Sequence, residues 1–220
     1  MNQKLFQQRS ERLREATAIA IFRTYSAEQA VEGVGAAVRG GFEAVEVTMN
    51  TPDATDAMAE LAGRTDSILG AGTIVEADQV KQAYDAGAEF IVTPIVAPEV
   101  VEAAHELSLP VALGASTPTE IFTARRAGAD WVKVFPGESL GGPNYVAHVL
   151  GPLDGTPILV TGGLTAENYL GYLDAGAELV GFGGSVFDPE VAAEGRYDEL
   201  ERRAIEVCRR LDSYLTDRDS

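Results

Sequence analysis

The sequence predicts an α/β protein whose eight strand–helix units close into a (β/α)8 TIM barrel. Three observations carry that expectation. Eight short apolar segments recur along the 220 residues, helical stretches separate them, and one small-residue pattern marks the entry to several of them. The length suits a single domain spanning residues 1–220 with a sizeable core. An open doubly wound sheet is the competing arrangement for the same alternation.

The elements follow in order. Residues 1–15 read as an extra amphipathic helix covering the barrel floor, residues 16–187 as the barrel, and residues 188–220 as a C-terminal helix and tail. The strand segments are 17–23, 44–49, 67–73, 90–94, 111–116, 131–135, 158–163 and 179–183, each introduced by Gly, Ala or Pro. They are short and rich in Val and Ile, as strands buried on both faces are. Between the first two, residues 27–39 place Ala30, Val31, Val34, Ala37 and Val38 on one helical stripe; residues 77–86 and 99–107 do the same. Helices stop at Gly40-Gly41, Gly87, Gly128 and Gly176, where a left-handed residue ends the spiral. The pattern Ala-Gly-Ala-Glu/Asp recurs at 86–89, 127–130 and 175–178, ahead of three different strands. Residues 197–215 form a charged amphipathic helix.

Composition excludes several classes. No apolar run approaches the roughly 20 residues of a spanning helix, and the polar start, Met1 to Ser10, lacks the apolar core of a signal peptide. Cys208 is the single cysteine, so no intrachain disulfide forms, and a cytoplasmic location is expected. Two distant histidines and no cysteine cluster argue against zinc. The 34 acidic and 17 basic residues give a formal charge of −17, which argues against a nucleic-acid partner. The acids are scattered over helical segments, and Arg outnumbers Lys 14 to 3. That surface is expected to be a halophilic one, kept soluble in high salt. An anionic substrate must then be captured by local groups against the global field.

Of the three lysines, Lys4 lies in a polar stretch and Lys81 on the wet side of a helix, whereas Lys133 sits between Val132 and Val134 in a strand. Burial disfavours the ammonium and yields a neutral amine that attacks carbonyls. Glu46, between Val45 and Val47, is a second strand charge, and alternation points it into the barrel. Two opposite charges inside one barrel are expected to meet. A purely structural ion pair is the bland reading, but a buried pair is a weak route to stability. A carboxyl beside a reactive amine is what Schiff-base chemistry needs, since each step moves a proton. Thr161-Gly162-Gly163 and Gly183-Gly184-Ser185 follow strands seven and eight, the usual phosphate site of such barrels.

With Glu-Val-Thr at 46–48, Gly-Ala-Gly-Thr at 70–73, Thr-Pro at 93–94, Val-Lys-Val-Phe-Pro at 132–136, Thr-Gly-Gly at 161–163 and Gly-Gly-Ser at 183–185, the chain resembles the 2-keto-3-deoxy-6-phosphogluconate (KDPG) aldolase family. The similarity covers about residues 16–210. The resemblance implies a class I aldolase that reversibly cleaves KDPG to pyruvate and glyceraldehyde 3-phosphate in the Entner–Doudoroff route. Lys133 is then the Schiff-base lysine and Glu46 the general acid/base. Thr73 holds the pyruvate carboxylate, Pro94 and Phe135 pack around the imine, and Thr161, Gly162, Gly163, Gly184 and Ser185 serve the 6-phosphate end. It also implies no metal, no cofactor and a homotrimer.

One position departs from the best-known branch, which carries an Arg where this chain has Asn50. The Asn50-Thr51-Pro52 loop is more similar to that of the 6-phosphogalactonate aldolases, and Arg23 is expected to supply the missing cation. The galactonate epimer and 4-hydroxy-2-oxoglutarate are therefore alternative substrates. A non-covalent sugar-phosphate enzyme and a phosphometabolite-binding protein are the more distant readings.

Overall fold

In the computed structural model, which describes residues 1–218, ten helices surround eight strands. The chain runs α1 (Gln3–Ala16), β1 (Ala18–Phe22), α2 (Ala27–Arg39), β2 (Ala44–Thr48), α3 (Ala54–Ala62), β3 (Ile68–Gly72), α4 (Ala77–Asp85) and β4 (Phe90–Val92). It continues α5 (Pro98–Glu106), β5 (Val111–Ala115), α6 (Pro118–Arg126), β6 (Trp131–Val134), α7 (Gly142–Leu150) and β7 (Ile158–Thr161). Then come α8 (Tyr169–Asp174), β8 (Leu179–Phe182), α9 (Pro189–Ala193) and α10 (Tyr197–Arg218). The strands are parallel and closed in sequence order, with β8 pairing back to β1 at Ala18–Val180, so the open-sheet alternative is excluded. Asp219 and Ser220, the end of the expected tail, lie outside the described residues.

Strands are shorter at their carboxyl ends than the apolar pattern predicts. Thr93-Pro94, Phe135, Gly162-Gly163 and Gly183 belong to loops. Apolar character persists there because those residues still face protein, although the ladder has ended. The pattern did not separate α9 from α10; Pro189 opens α9, and Gly195, at φ 69°, follows it. Helix starts are locally encoded. Ser26 Oγ accepts from the Gln29 N–H, and Thr117 with Glu120 forms a reciprocal capping box before Pro118. At the other end, Gly87 has φ 99°, and a Cβ there would lie 2.5 Å from the Ala62 Cβ, so the stop demands glycine twice over.

Inside the barrel two layers differ. The lower layer is apolar and closed: Ile19, Ala44, Ile68, Phe90, Val92, Ala112, Trp131, Leu159 and Leu179 pack with Leu13 and Ala16 of α1. Helix α1 thus plugs the floor. Its cations meet the acids that end the repeated small-residue pattern. Arg12 bonds Glu89 at 3.0 Å, Arg14 lies near Glu178, and Trp131 Nε1 donates to Glu178 at 3.0 Å. Arg9, largely buried, donates to the Ser108 carbonyl at 2.9 Å. The upper layer places Gly70, Gly72, Gly114 and Gly181 at inward positions of β3, β5 and β8, each making room for a neighbouring group.

If α1 seals the floor chiefly by apolar packing, Leu13→Ala should cost about 2–5 kcal/mol. Thermal unfolding should show a fall in Tm of roughly 4 °C or more. An unchanged Tm would mean that the plug contributes nothing.

Candidate active site

Alternation along each strand places the chemistry. In β6, Trp131 and Lys133 point inward while Val132 and Val134 face the helices; in β2, Ala44, Glu46 and Thr48 point inward while Val45 and Val47 face out. Lys133 and Glu46 therefore rise from the apolar floor into one cavity of about 310 Å³ at the carboxyl face. Arg23, Thr73, Phe135, Thr161, Gly162, Gly163, Gly184 and Ser185 line the same space.

Lys133 is 7% exposed and Glu46 is 0% exposed. The two share the cavity, but no direct ion pair joins them among the described residues, contrary to the meeting expected of them. Both carboxyl oxygens of Glu46 are buried without a hydrogen-bond partner. The Lys133 ammonium end lies 5.2 Å from the Phe135 ring centroid. Burial lowers the Lys133 pKa, with attraction from Glu46 opposing it and Arg23 reinforcing it. Burial likewise raises the Glu46 pKa against the attraction of Lys133 and Arg23. For both groups desolvation outweighs attraction, so both are driven toward the uncharged form. An amine pushed toward its neutral form beside a carboxyl pushed toward its protonated form is a nucleophile paired with a proton donor.

Gly72 makes room for that carboxyl. A Cβ there would lie 1.7 Å from Glu46 Oε1, so no side chain can stand at that position unless Glu46 moves. The next residue, Thr73, has φ 58°, a left-handed conformation that costs a branched residue energy and clusters at functional sites. Arg23 Nη2 donates to Thr73 Oγ1 at 3.4 Å, which brings the exposed guanidinium over the cavity rim. On the opposite wall, Gly162 and Gly163 have φ 92° and 84°, and the buried Thr161 Oγ1 has no partner. Ser185 Oγ donates to the Leu164 carbonyl. No cluster of three or more His, Cys, Asp or Glu among the described residues is placed to hold a metal ion.

The family model for KDPG and KHG aldolases matches residues 10–203. The chain belongs to that family. It is thus an aldolase, a carbon–carbon lyase, and shares 33% identity over 203 residues with the 2-dehydro-3-deoxy-phosphogluconate aldolase of Haemophilus influenzae, covering 91% of this chain and 95% of that one. It is 34% identical over 172 residues to the 2-dehydro-3-deoxy-6-phosphogalactonate aldolase of Escherichia coli, covering 77% and 83%. Among solved structures it is similar to KDPG aldolase from Legionella pneumophila, with TM-score 0.82 and 25% identity over 91% of this chain and 98% of that one. That structure holds pyruvate as a covalent carbinolamine intermediate.

Of the residues singled out in the aldolase sequence, only Pro94 does not line the cavity. Its carbonyl carbon would lie 2.1 Å from a Cβ on Gly114, so Pro94 sits against β5, whose Gly114 is the register partner of Lys133. Ile21, Thr48, Gly183, Phe187 and Pro189 line the cavity as well. Ile21 and Thr48 lie in phase with inward neighbours and are visible by period two. Phe187 enters from the loop after β8, where no period applies, and Pro189 from the first position of α9.

The raised Glu46 pKa has a consequence for stability. Its contribution is fully present below the unfolded value near 4.5 and is lost as pH rises through the folded-state pKa. Glu46→Gln cannot ionise, so at neutral pH it should melt above the parent. That advantage should vanish as pH falls toward 4.5. Equal Tm values at every pH would show that the carboxyl is not held out of water.

Proposed function

We propose that the chain is a class I aldolase that reversibly cleaves 2-keto-3-deoxy-6-phosphogluconate to pyruvate and glyceraldehyde 3-phosphate. The observation that carries this reading is Lys133, buried, outside any ion pair among the described residues, and facing across one cavity the carboxyl of Glu46, which has no hydrogen-bond partner among them. A structural lysine at this depth would be paired; a Schiff-base lysine is kept unpaired and neutral.

The steps follow from what each group offers. The Lys133 amine attacks the C2 ketone, whose oxygen takes a proton and leaves as water, giving an iminium. Glu46 transfers the protons for this dehydration, directly or through water. It then removes the C4 hydroxyl proton. The C3–C4 bond breaks, its electrons flow into the iminium as an enamine, and glyceraldehyde 3-phosphate departs. Protonation of the enamine at C3 and hydrolysis release pyruvate and restore the amine. No step calls for a metal or a cofactor. The resemblance to a family with a pyruvate carbinolamine, as in the Legionella protein, supports the first step.

Binding divides along the cavity. Arg23 and Thr73 receive the carboxylate. The left-handed glycines at 162 and 163, with Gly184 and Ser185, leave backbone N–H groups open to the 6-phosphate. Thr161 Oγ1, buried and unpartnered between these ends, suits a substrate hydroxyl. Phe135 and, against the inner face of β5 at Gly114, Pro94 wall the imine. These local donors overcome the repulsion of a chain carrying −17.

The galactonate epimer is the second reading, and Arg23 favours it. The cation comes from β1 while Asn50 is exposed and absent from the cavity lining. The same functional reading makes the protein a cytoplasmic homotrimer with a salt-adapted acidic surface, which sedimentation and melting across molar salt would check.

Incubation with pyruvate and borohydride should add one 1-carboxyethyl group, mapped to Lys133, and Lys133→Ala should lose both labelling and turnover. Glu46→Gln should still label while turnover falls on the order of 10²- to 10⁴-fold. Labelling elsewhere, or equal small losses in both variants, would remove the mechanism. Arg23→Ala should raise the KM of the keto acid, and the kcat/KM ratio for the two epimeric phosphates decides between the two substrates.

A further inference from the structure

Thr48 is the inward residue of β2 one step beyond Glu46, 1% exposed and facing the cavity. Its neighbours are fixed by register. Phe22 pairs with Val47, so Arg23 at the end of β1 lies level with Thr48; Thr48 pairs with Gly72, and Thr73 follows at the end of β3. Arg23 and Thr73, joined by their 3.4 Å contact, therefore flank Thr48 on the two adjacent strands.

Behind Thr48 lies a short buried chain of polar groups. The Thr24 N–H donates to Thr51 Oγ1 at 3.2 Å, and Thr51 Oγ1 lies 3.4 Å from Thr48 Oγ1. Thr24 and Thr51 are both buried. A hydroxyl has one hydrogen to give. With one lone pair of Thr51 committed to a backbone N–H, the Thr51 hydrogen can be given to Thr48. The Thr48 hydrogen is then left for the cavity. An anion beside Thr48 selects that arrangement of the two rotors, since the reverse would turn an oxygen lone pair toward negative charge.

We propose that Thr48 is a third donor to the substrate carboxylate, set between Arg23 and Thr73, and that Thr51 is a positioning residue that aims it. The inference rests on the reading that a 2-keto acid binds with its carboxylate at Arg23 and Thr73. It also accounts for the Asn50-Thr51-Pro52 loop. That loop brings no cation to the cavity, yet it carries the hydroxyl that ties the residue after Arg23 to the floor of the carboxylate site.

The test is borohydride trapping on Lys133 as a function of ligand concentration, with pyruvate and with acetone, which forms an imine but has no carboxylate. Thr48→Val keeps the shape and removes the donor. It should raise the half-saturating pyruvate concentration roughly 10- to 100-fold, as expected for a hydrogen bond to a charged group, and leave that for acetone unchanged. Thr48→Ser should restore most of the loss. Thr51→Val should weaken pyruvate roughly 3- to 10-fold on its own, from loss of aim, and have no further effect in a Thr48→Val background. An equal loss for acetone and pyruvate would make Thr48 structural and overturn the proposal, as would an unchanged pyruvate midpoint in folded Thr48→Val. Additive Thr51 and Thr48 effects would remove the positioning role. Failure of the parent chain to trap pyruvate at all would instead remove the aldolase reading on which this one stands.

Discussion

An amine kept out of water without a counter-ion is the constraint around which the barrel is arranged. Lys133 gains little from its neighbours: Glu46 opposes its loss of charge, Arg23 reinforces it, and desolvation outweighs both. Such a group persists only if the surrounding structure leaves it no alternative. Trp131 below, the Gly114 backbone beside it and the Phe135 ring above confine it. The stability forgone here is made good in the lower layer, where Leu13, Phe90, Trp131 and Leu159 fill the barrel without a void-forming glycine or a charge.

The two layers explain each other. A TIM barrel ordinarily fills its interior with branched side chains. In this one the upper layer gives inward positions to Gly70, Gly72, Gly114 and Gly181, and the cavity is walled by Glu46, Lys133 and residues toward the strand ends. Each glycine has an identifiable occupant of its space. The Phe90 ring lies over Gly70, the Glu46 carboxyl over Gly72, the Pro94 backbone against Gly114, and Thr161 with Ile21 against Gly181. Helix α1 completes the division by closing the lower end, so the chemistry faces solvent from one side only.

Charge follows the same division. Acids at the amino-terminal face, Glu89 and Glu178, are consumed in pairing with α1, and most of the remaining ion pairs are surface contacts along α10 that contribute little. Inside the carboxyl-face cavity the buried acid is Glu46, pushed toward its protonated form by burial, and Arg23 is an exposed cation at its rim. A strongly acidic protein thereby offers an anion a local welcome, with glycine backbone on one wall and Arg23 on the other.

Whether the sheet stayed open or closed rested on β8 pairing back to β1, but the sequence by itself determined the strand–helix alternation and the inward direction of Lys133 and Glu46. Those depend on period-two alternation and on glycine stops, both of which are local and need no partner. It also marked Thr161 to Gly163 and Gly183 to Ser185 as loops, through glycine pairs that follow strand patterns. Only the tertiary structure decided that Lys133 and Glu46 share a cavity without pairing, because that distance depends on the register and tilt of strands β2 and β6, which lie well apart along the chain and around the barrel. Likewise, Pro94 lies against the inner face of β5, and Phe187 and Pro189 reach the cavity from the segment between β8 and the start of α9. The Thr24–Thr51–Thr48 chain is visible only once two strand ends are set side by side. Side-chain direction is a property of the strand, whereas separation across a closed barrel is a property of its closure.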